Sequence, residues 1–179
     1  MALRLFIWYN RNRHAILDKY GNKTGKTKER VKPMEMIEGE YYLMVDIWIL
    51  NNQGEFLISK RVPTVNPEPD RWQPTCGCVI AGEDSISAAL REVNEELGLV
   101  LSPKNSQLVK RYIAWDKAII DVWLFRQDFL INEVVLQPTE TNDAMWSTKD
   151  SIIQLINDDR FICYERVPYI NELFLYCRL

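Results

Sequence analysis

The sequence predicts an α/β (α+β) architecture, an α-β-α sandwich in which a mixed β-sheet lies between helices. Three observations carry that expectation. β-rich runs bounded by turn residues recur over 41–60, 72–80 and 107–125. A helix with cap signals at both ends spans Ser85 to Leu97. The chain has 179 residues, 47% hydrophobic and 26% charged, enough for one domain with a substantial core.

In chain order, Arg13–Gly25 reads as a hairpin with Gly21-Asn22 and Gly25 as turn signals, the tip of an N-terminal arm covering about residues 1–32. Tyr41–Leu50 is a strong strand, followed by the turn Asn51-Asn52-Gln53-Gly54 and a second strand Glu55–Lys60. Pro63, Pro67 and Pro69 make 62–71 a loop, because proline fixes φ and donates no hydrogen bond. Trp72–Ile80 is extended. Gln107–Ala114 and Ile119–Phe125 form a hairpin across Trp115-Asp116-Lys117. Asp84 and Ser85 are N-caps of the helix that Gly98 ends. Ser147-Thr148-Lys149-Asp150 resembles a capping box ahead of Ile152, Ile153, Leu155 and Ile156, and a last helix follows Pro168.

No run of eighteen apolar residues exists, which excludes a membrane-spanning helix. Met1–Asn10 is apolar but short and lacks a small-residue cleavage site, so it does not read as a signal peptide. Cys76, Cys78, Cys163 and Cys177 form no C-x-x-C pair, and His14 is the single histidine. A zinc site is not expected; reduced thiols in a cytoplasmic protein are. Net charge is −3, but residues 1–32 carry +7 and the other 147 carry −10. Such a basic arm either faces phosphates or is a solvated hairpin, and Arg30 is its candidate phosphate contact.

On the helix, Ile86, Ala89, Leu90, Val93 and Leu97 share one stripe that must pack on the core. Glu92, Glu95 and Glu96 then share a neighbouring sector, since residues three and four apart meet on a helix surface. Alone, three such glutamates read as a solvated face. Close together they repel unless a cation lies between them, and hard oxygen ligands of this kind suit Mg²⁺ or Mn²⁺.

The surroundings sharpen this. Gly77 is followed after five residues by Glu83 and after seven more by Arg91-Glu92-Val93-Asn94-Glu95-Glu96-Leu97-Gly98-Leu99. This arrangement resembles in full the G-x5-E-x7-R-E-U-x-E-E-x-G-U signature of the Nudix hydrolases, U being aliphatic. Seven positions are fully specified. With a background of about one in fifteen at each, a chance match anywhere in the chain is on the order of one in a million. The resemblance implies a Nudix-like sandwich fold. It also implies metal ligation by Glu92, Glu95, Glu96 and the backbone carbonyl of Cys76, with Gly77 leaving room at the metal. Arg91 orients the glutamates, Glu83 supports them, and Gly98 stops the helix. Activity is then hydrolysis of a phosphoanhydride bond in a nucleoside diphosphate linked to another moiety. The metal neutralises phosphate oxygens and acidifies a water whose proton a carboxylate accepts. The family often draws that base from a later loop, where Glu140 stands; Glu92 is the competing candidate. Arg61 is a second candidate phosphate contact.

The likeness extends, more loosely, over about residues 14–157. Asp18…Gly21 to Gly25, Gly39-Glu40-Tyr41, Lys60-Arg61, Trp72, Asp121-Val122-Trp123 and Leu136-Gln137-Pro138 look like a bacterial subgroup related to the isopentenyl-diphosphate isomerases. An isomerase is therefore the alternative activity, and Cys76 directly precedes Gly77 as the isomerase cysteine does. Tyr42 and Cys78 depart from it, standing where those enzymes carry metal-binding histidines. A regulatory or RNA-binding module is a third reading; such members lose box acids, and this chain keeps them. The expected partner is a small diphosphate, with neither membrane nor nucleic acid, and a homodimer is compatible. The proline that marks ADP-ribose enzymes downstream of the box has no counterpart, as Ala114 and Trp115 stand there.

Overall fold

The computed structural model describes residues 13–29, 36–162 and 167–178. β1 (Arg13–Leu17) and β2 (Lys23–Glu29) pair antiparallel. The Asp18 carboxylate closes their turn by accepting from the backbone N–H of Tyr20 at 2.8 Å and of Asn22 at 3.0 Å. The turn is complete before Gly25, which lies inside β2 rather than at a second turn. Its φ of 81° falls where the pairing register slips opposite Ile16, a bulge that glycine accommodates without strain.

β3 (Tyr42–Leu50) is the axis of a seven-stranded mixed sheet that also holds β4 (Phe56–Arg61), β5 (Trp72–Gln73), β6 (Thr75–Cys78), β7 (Ser106–Ala114), β8 (Ala118–Arg126) and β9 (Thr141–Ser147). β8 runs parallel to β3 along its full length, and β7 pairs antiparallel with β8. The other edge of β3 is shared. β4 pairs with it only at Ile49 and Leu50, while β6 pairs over Met44–Ile47. β4 therefore splays away from β3, and the segment 72–78 crosses the gap: β5 pairs with Ser59 and Lys60 of β4 before β6 reaches β3. Pro74 sits at the crossing, where a ladder donor is dispensable. β9 pairs with β4 from Phe56↔Ser147 to Arg61↔Thr141. It has no counterpart in the sequence-based expectation. Thr141-Asn142-Asp143-Ala144 has weak β-propensity, and β4 supplies the pairing that propensity does not.

Successive strand residues point to opposite faces. Val45, Ile47 and Ile49 of β3 pack on α1 (Ser85–Leu97) through Ala88, Ala89, Val93 and Leu97. Trp48 and Leu50 pack on the other face, under α2 (Lys149–Asn157) and α3 (Ile170–Leu173), with Ile152, Tyr169 and Leu173. This is the expected sandwich. Asp84 caps α1, its carboxylate accepting from Ser87 N–H at 2.9 Å. Thr148, rather than Ser147, caps α2, because Ser147 is still in β9. Gly98 ends α1 in the left-handed conformation, φ 67°, and a Cβ there would also press on Val135. No helix among the described residues is long and apolar enough to cross a membrane.

Candidate active site

The site forms where α1 passes beneath β6. The three glutamates differ in exposure: Glu92 is 7% exposed and Glu96 3%, whereas Glu95 is exposed. A Cβ at Gly77 would overlap the Glu92 carboxyl, so the glycine is required by space and not by an unusual backbone angle. The occupant of that space is the Glu92 side chain itself.

Arg91 is the frame. Its Nε donates to Glu83 Oε1 at 2.8 Å and its Nη2 to Glu83 Oε2 at 3.0 Å, a bidentate pair. Nη2 also donates to the Cys78 carbonyl at 3.0 Å, which ties α1 to β6. Nη1 lies 2.8 Å from Glu92 Oε1 and 3.1 Å from Glu95 Oε2. Burial works against this charge, but the Glu83 hydrogen bonds and the charge of Glu92 more than offset it and hold the guanidinium above its ordinary value. Glu83 in turn accepts from Ile80 N–H at 3.2 Å. Glu83, Glu92 and Glu95 are thus brought onto one guanidinium.

Glu96 is different. Among the described residues it has no cationic partner at hydrogen-bond distance, and its Oε2 is buried without a hydrogen bond. Burial pushes its carboxyl well above the usual carboxylate range, and the charges of Glu92 and Glu140 push the same way, opposed by Arg61. Glu140 reaches this neighbourhood because the loop before β9 docks on the end of α1. Val135 N–H donates to Leu97 O at 2.9 Å, Gln137 N–H to Glu96 O at 3.0 Å, and Thr141 Oγ1 to Glu96 O at 3.2 Å. These bonds satisfy carbonyls that a helix end leaves open.

Arg61, at the end of β4, approaches from the splay. Its Nη1 donates to Gln73 Oε1 at 2.8 Å, and its Nε is buried without a partner. The half-buried Cys76 thiol points at the same Gln73 Oε1 at 3.9 Å. Arg30 lies outside the described residues. In the arm, Lys26 and Lys28 are engaged by Glu40 at 3.2 and 2.7 Å. Among the described residues no three carboxylate, thiol or imidazole groups converge on one point, since Glu92 and Glu95 both turn an oxygen to Arg91. The donor set nevertheless fits a hard divalent cation: buried Glu92 and Glu96 repel each other, and an oxygen of Glu96 is buried without a hydrogen bond.

Two residues the sequence reading did not single out belong here. Gln73, 2% exposed, anchors Arg61. Asp46, 7% exposed, is the β3 partner of Cys76 and accepts the Tyr169 hydroxyl proton at 2.7 Å. An acid inside the apolar run Tyr41–Leu50 was the signal for the second.

Comparison with known proteins agrees with this geometry. Residues 41–165 match the NUDIX domain model. An uncharacterized Nudix hydrolase of Listeria monocytogenes is 30% identical over 160 residues, covering 89% of this chain and 91% of that protein. An isopentenyl-diphosphate Delta-isomerase of Cutibacterium acnes is 31% identical over 98 residues, but this covers only 52% of this chain and 47% of the isomerase. Among solved structures, a Deinococcus radiodurans protein superposes with a TM-score of 0.71 at 20% identity, covering 92% of this chain and 98% of its own, a likeness of fold.

Proposed function

Because this chain belongs to the Nudix family, hydrolases of pyrophosphate bonds, we propose that its substrate is a nucleoside diphosphate linked to another moiety, cleaved between the phosphates by water. The observation that carries this reading is the buried pair Glu92 and Glu96, Glu92 held by Arg91 and Oε2 of Glu96 without a hydrogen bond. Two buried carboxylates without a shared cation are costly, and a metal-assisted diphosphatase needs that arrangement.

Glu92, Glu95 and Glu96, with the Cys76 carbonyl, would hold Mg²⁺ or Mn²⁺, which when bound supplies charge neutralisation for the diphosphate and a more acidic water. Arg91 keeps Glu92 and Glu95 on one side of the helix, and Glu83 keeps Arg91 there. Glu140 accepts the proton of the attacking water; Glu92 is the alternative acceptor. Arg61, held by Gln73, turns its unsatisfied Nε–H toward a phosphate oxygen. Arg30 adds a longer-range attraction, which is screened by salt. The whole chain, with its arm, acts as one domain.

The test is a panel of nucleotide sugars, dinucleoside polyphosphates and nucleoside di- and triphosphates, assayed with Mg²⁺ and with Mn²⁺. Cleavage of a linked nucleoside diphosphate into two phosphorylated products is expected. Turnover of triphosphates alone would replace the proposed substrate class.

A further inference from the structure

We propose that the thiols of Cys76 and Cys78, with the thioether of Met44, form a chelating site for a soft monovalent cation, Cu(I), and that filling it inhibits the acid frame on the other side of the same strand. The inhibition rests on the diphosphatase reading above; the binding does not.

Side chains two apart on a strand share a face. Met44 of β3 faces away from α1 and packs against the core that contains Trp48 and Leu50. β6 lies beside β3 in register, with Cys78 opposite Met44 and Cys76 opposite Asp46, so both thiols stand on that same face. Both residues are half-buried, and neither forms a disulfide. Cα atoms two apart on a strand are separated by about 6.6 Å, and Cβ atoms directly opposed across an antiparallel pair by about 5 Å. Two sulfurs on one ion sit within about 4.6 Å of each other, twice a metal–sulfur bond of about 2.3 Å. The two side chains therefore reach one ion by leaning toward each other, and Met44 approaches it from the next strand.

Donor type and number choose the ion. Thiolates and thioethers select soft metals. Structural zinc and iron–sulfur clusters draw on about four protein ligands. Among the described residues no third cysteine, histidine or carboxylate joins these two cysteines in a metal-binding group. Cu(I), which accepts low coordination by sulfur, is the soft ion that suits what remains. Binding forms two copper–sulfur bonds and releases both thiol protons to solvent, with no change of oxidation state.

The strand that carries the thiols also carries the site. Gly77, between them, turns its other face to the Glu92 carboxyl, which leaves no room for a Cβ. The Cys78 carbonyl accepts from Arg91 Nη2 at 3.0 Å, and the Cys76 carbonyl is the proposed ligand of the catalytic metal. Closing the chelate draws residues 76 and 78 together about Gly77. It thereby displaces both carbonyls and the wall against Glu92. Mg²⁺ prefers oxygen donors and Cu(I) sulfur, so the two ions act on separate faces rather than competing for one set of ligands.

The experiment titrates Cu(I) anaerobically against the chelator bicinchoninate. The Cys163→Ser/Cys177→Ser chain should hold one ion. Adding Cys78→Ser should weaken binding by about a hundredfold or more, because the chelate is lost, and adding Met44→Leu by about tenfold. If the background chain loses its circular-dichroism signal, wild type is compared with Cys78→Ser alone and should hold one ion more. Equal binding in Cys78→Ser overturns the site, and equal binding in Met44→Leu removes the thioether from it. With a diphosphate that the enzyme cleaves, one equivalent of Cu(I) should lower wild-type kcat/KM about tenfold or more, reversibly on adding chelator. Cys78→Ser should lose less than about twofold, each protein being compared with its own copper-free rate. Tight binding with unaltered kcat/KM overturns the inhibition. A copper-free wild type that cleaves no diphosphate removes the hydrolase reading, and the titration then decides the site by itself.

Discussion

The Glu92 carboxyl occupies the volume that a side chain at residue 77 would fill: a Cβ on Gly77 would meet Cγ, Cδ and Oε1 of Glu92. Two residues of the signature, fifteen positions apart in the chain, are therefore one packing unit. Gly77→Ala should expel Glu92 from beneath β6 and pull its oxygen off Arg91. We expect kcat/KM to fall on the order of 10²-fold or more, with a lower Tm, since ordinary overpacking costs about 1–3 kcal/mol. Wild-type kcat/KM in the variant would dissociate this contact from catalysis.

Glu95 and Glu96 differ in burial, and their glutamine variants should differ in consequence. Both are expected to lower hydrolysis by on the order of 10³-fold, as each would remove a proposed metal ligand. Only Glu96→Gln relieves a buried, unsatisfied carboxylate, so it should also raise the Tm of the metal-free protein. Hydrolysis within a few-fold of wild type in either variant removes that residue from the ligand set.

The raised pKa of Glu96 has a definite sign. Its carboxyl is protonated more readily in the folded chain than in the unfolded one, whose ordinary value is 4.5. The stability it contributes is present below that value and is lost as pH rises through the folded pKa. Melts in EDTA should show Tm falling above about pH 4.5 in the wild type, and falling less steeply in Glu96→Gln. Saturating Mg²⁺ should raise Tm more at pH 8 than at pH 5. A Tm in EDTA with identical pH dependence in both proteins would count against this linkage.

Glu140 and Glu92 can be told apart as bases. Loss of the base should lower kcat and shift the acidic limb of the pH–rate profile while metal affinity holds. Glu140→Gln is expected to do this, because its loop is pinned to Glu96 O and its charge acts on Glu96. The same behaviour in Glu92→Gln, with Glu140→Gln silent, would move the base onto the helix.

Cys76 separates hydrolase from isomerase. In the proposed hydrolase only its carbonyl would serve, so Cys76→Ala should keep activity within about tenfold. No deuterium exchange into isopentenyl diphosphate is expected from the wild type. Exchange that Cys76→Ala abolishes would establish the isomerase instead.

Much of this was decided by sequence alone. Helix periodicity, the cap candidates Asp84 and Ser85 and the stop at Gly98 located α1, because caps and left-handed stops are local chemistry. The spacing from Glu83 to Glu95 pointed to residues that the structure gathers on the Arg91 guanidinium, because one helix and the short loop before it carry them. What local chemistry does not contain is pairing between distant segments. The burial of Glu92 and Glu96 under β6, the strand Thr141–Ser147 that exists only beside β4, and the docking of Gln137 on Glu96 O all come from contacts across tens of residues. The same holds for Asp46, whose neighbours Cys76 and Tyr169 are supplied by another strand and by the chain just before α3. Sequence determined which groups carry charge; the fold decided which of those charges are removed from water, and that determines their chemistry.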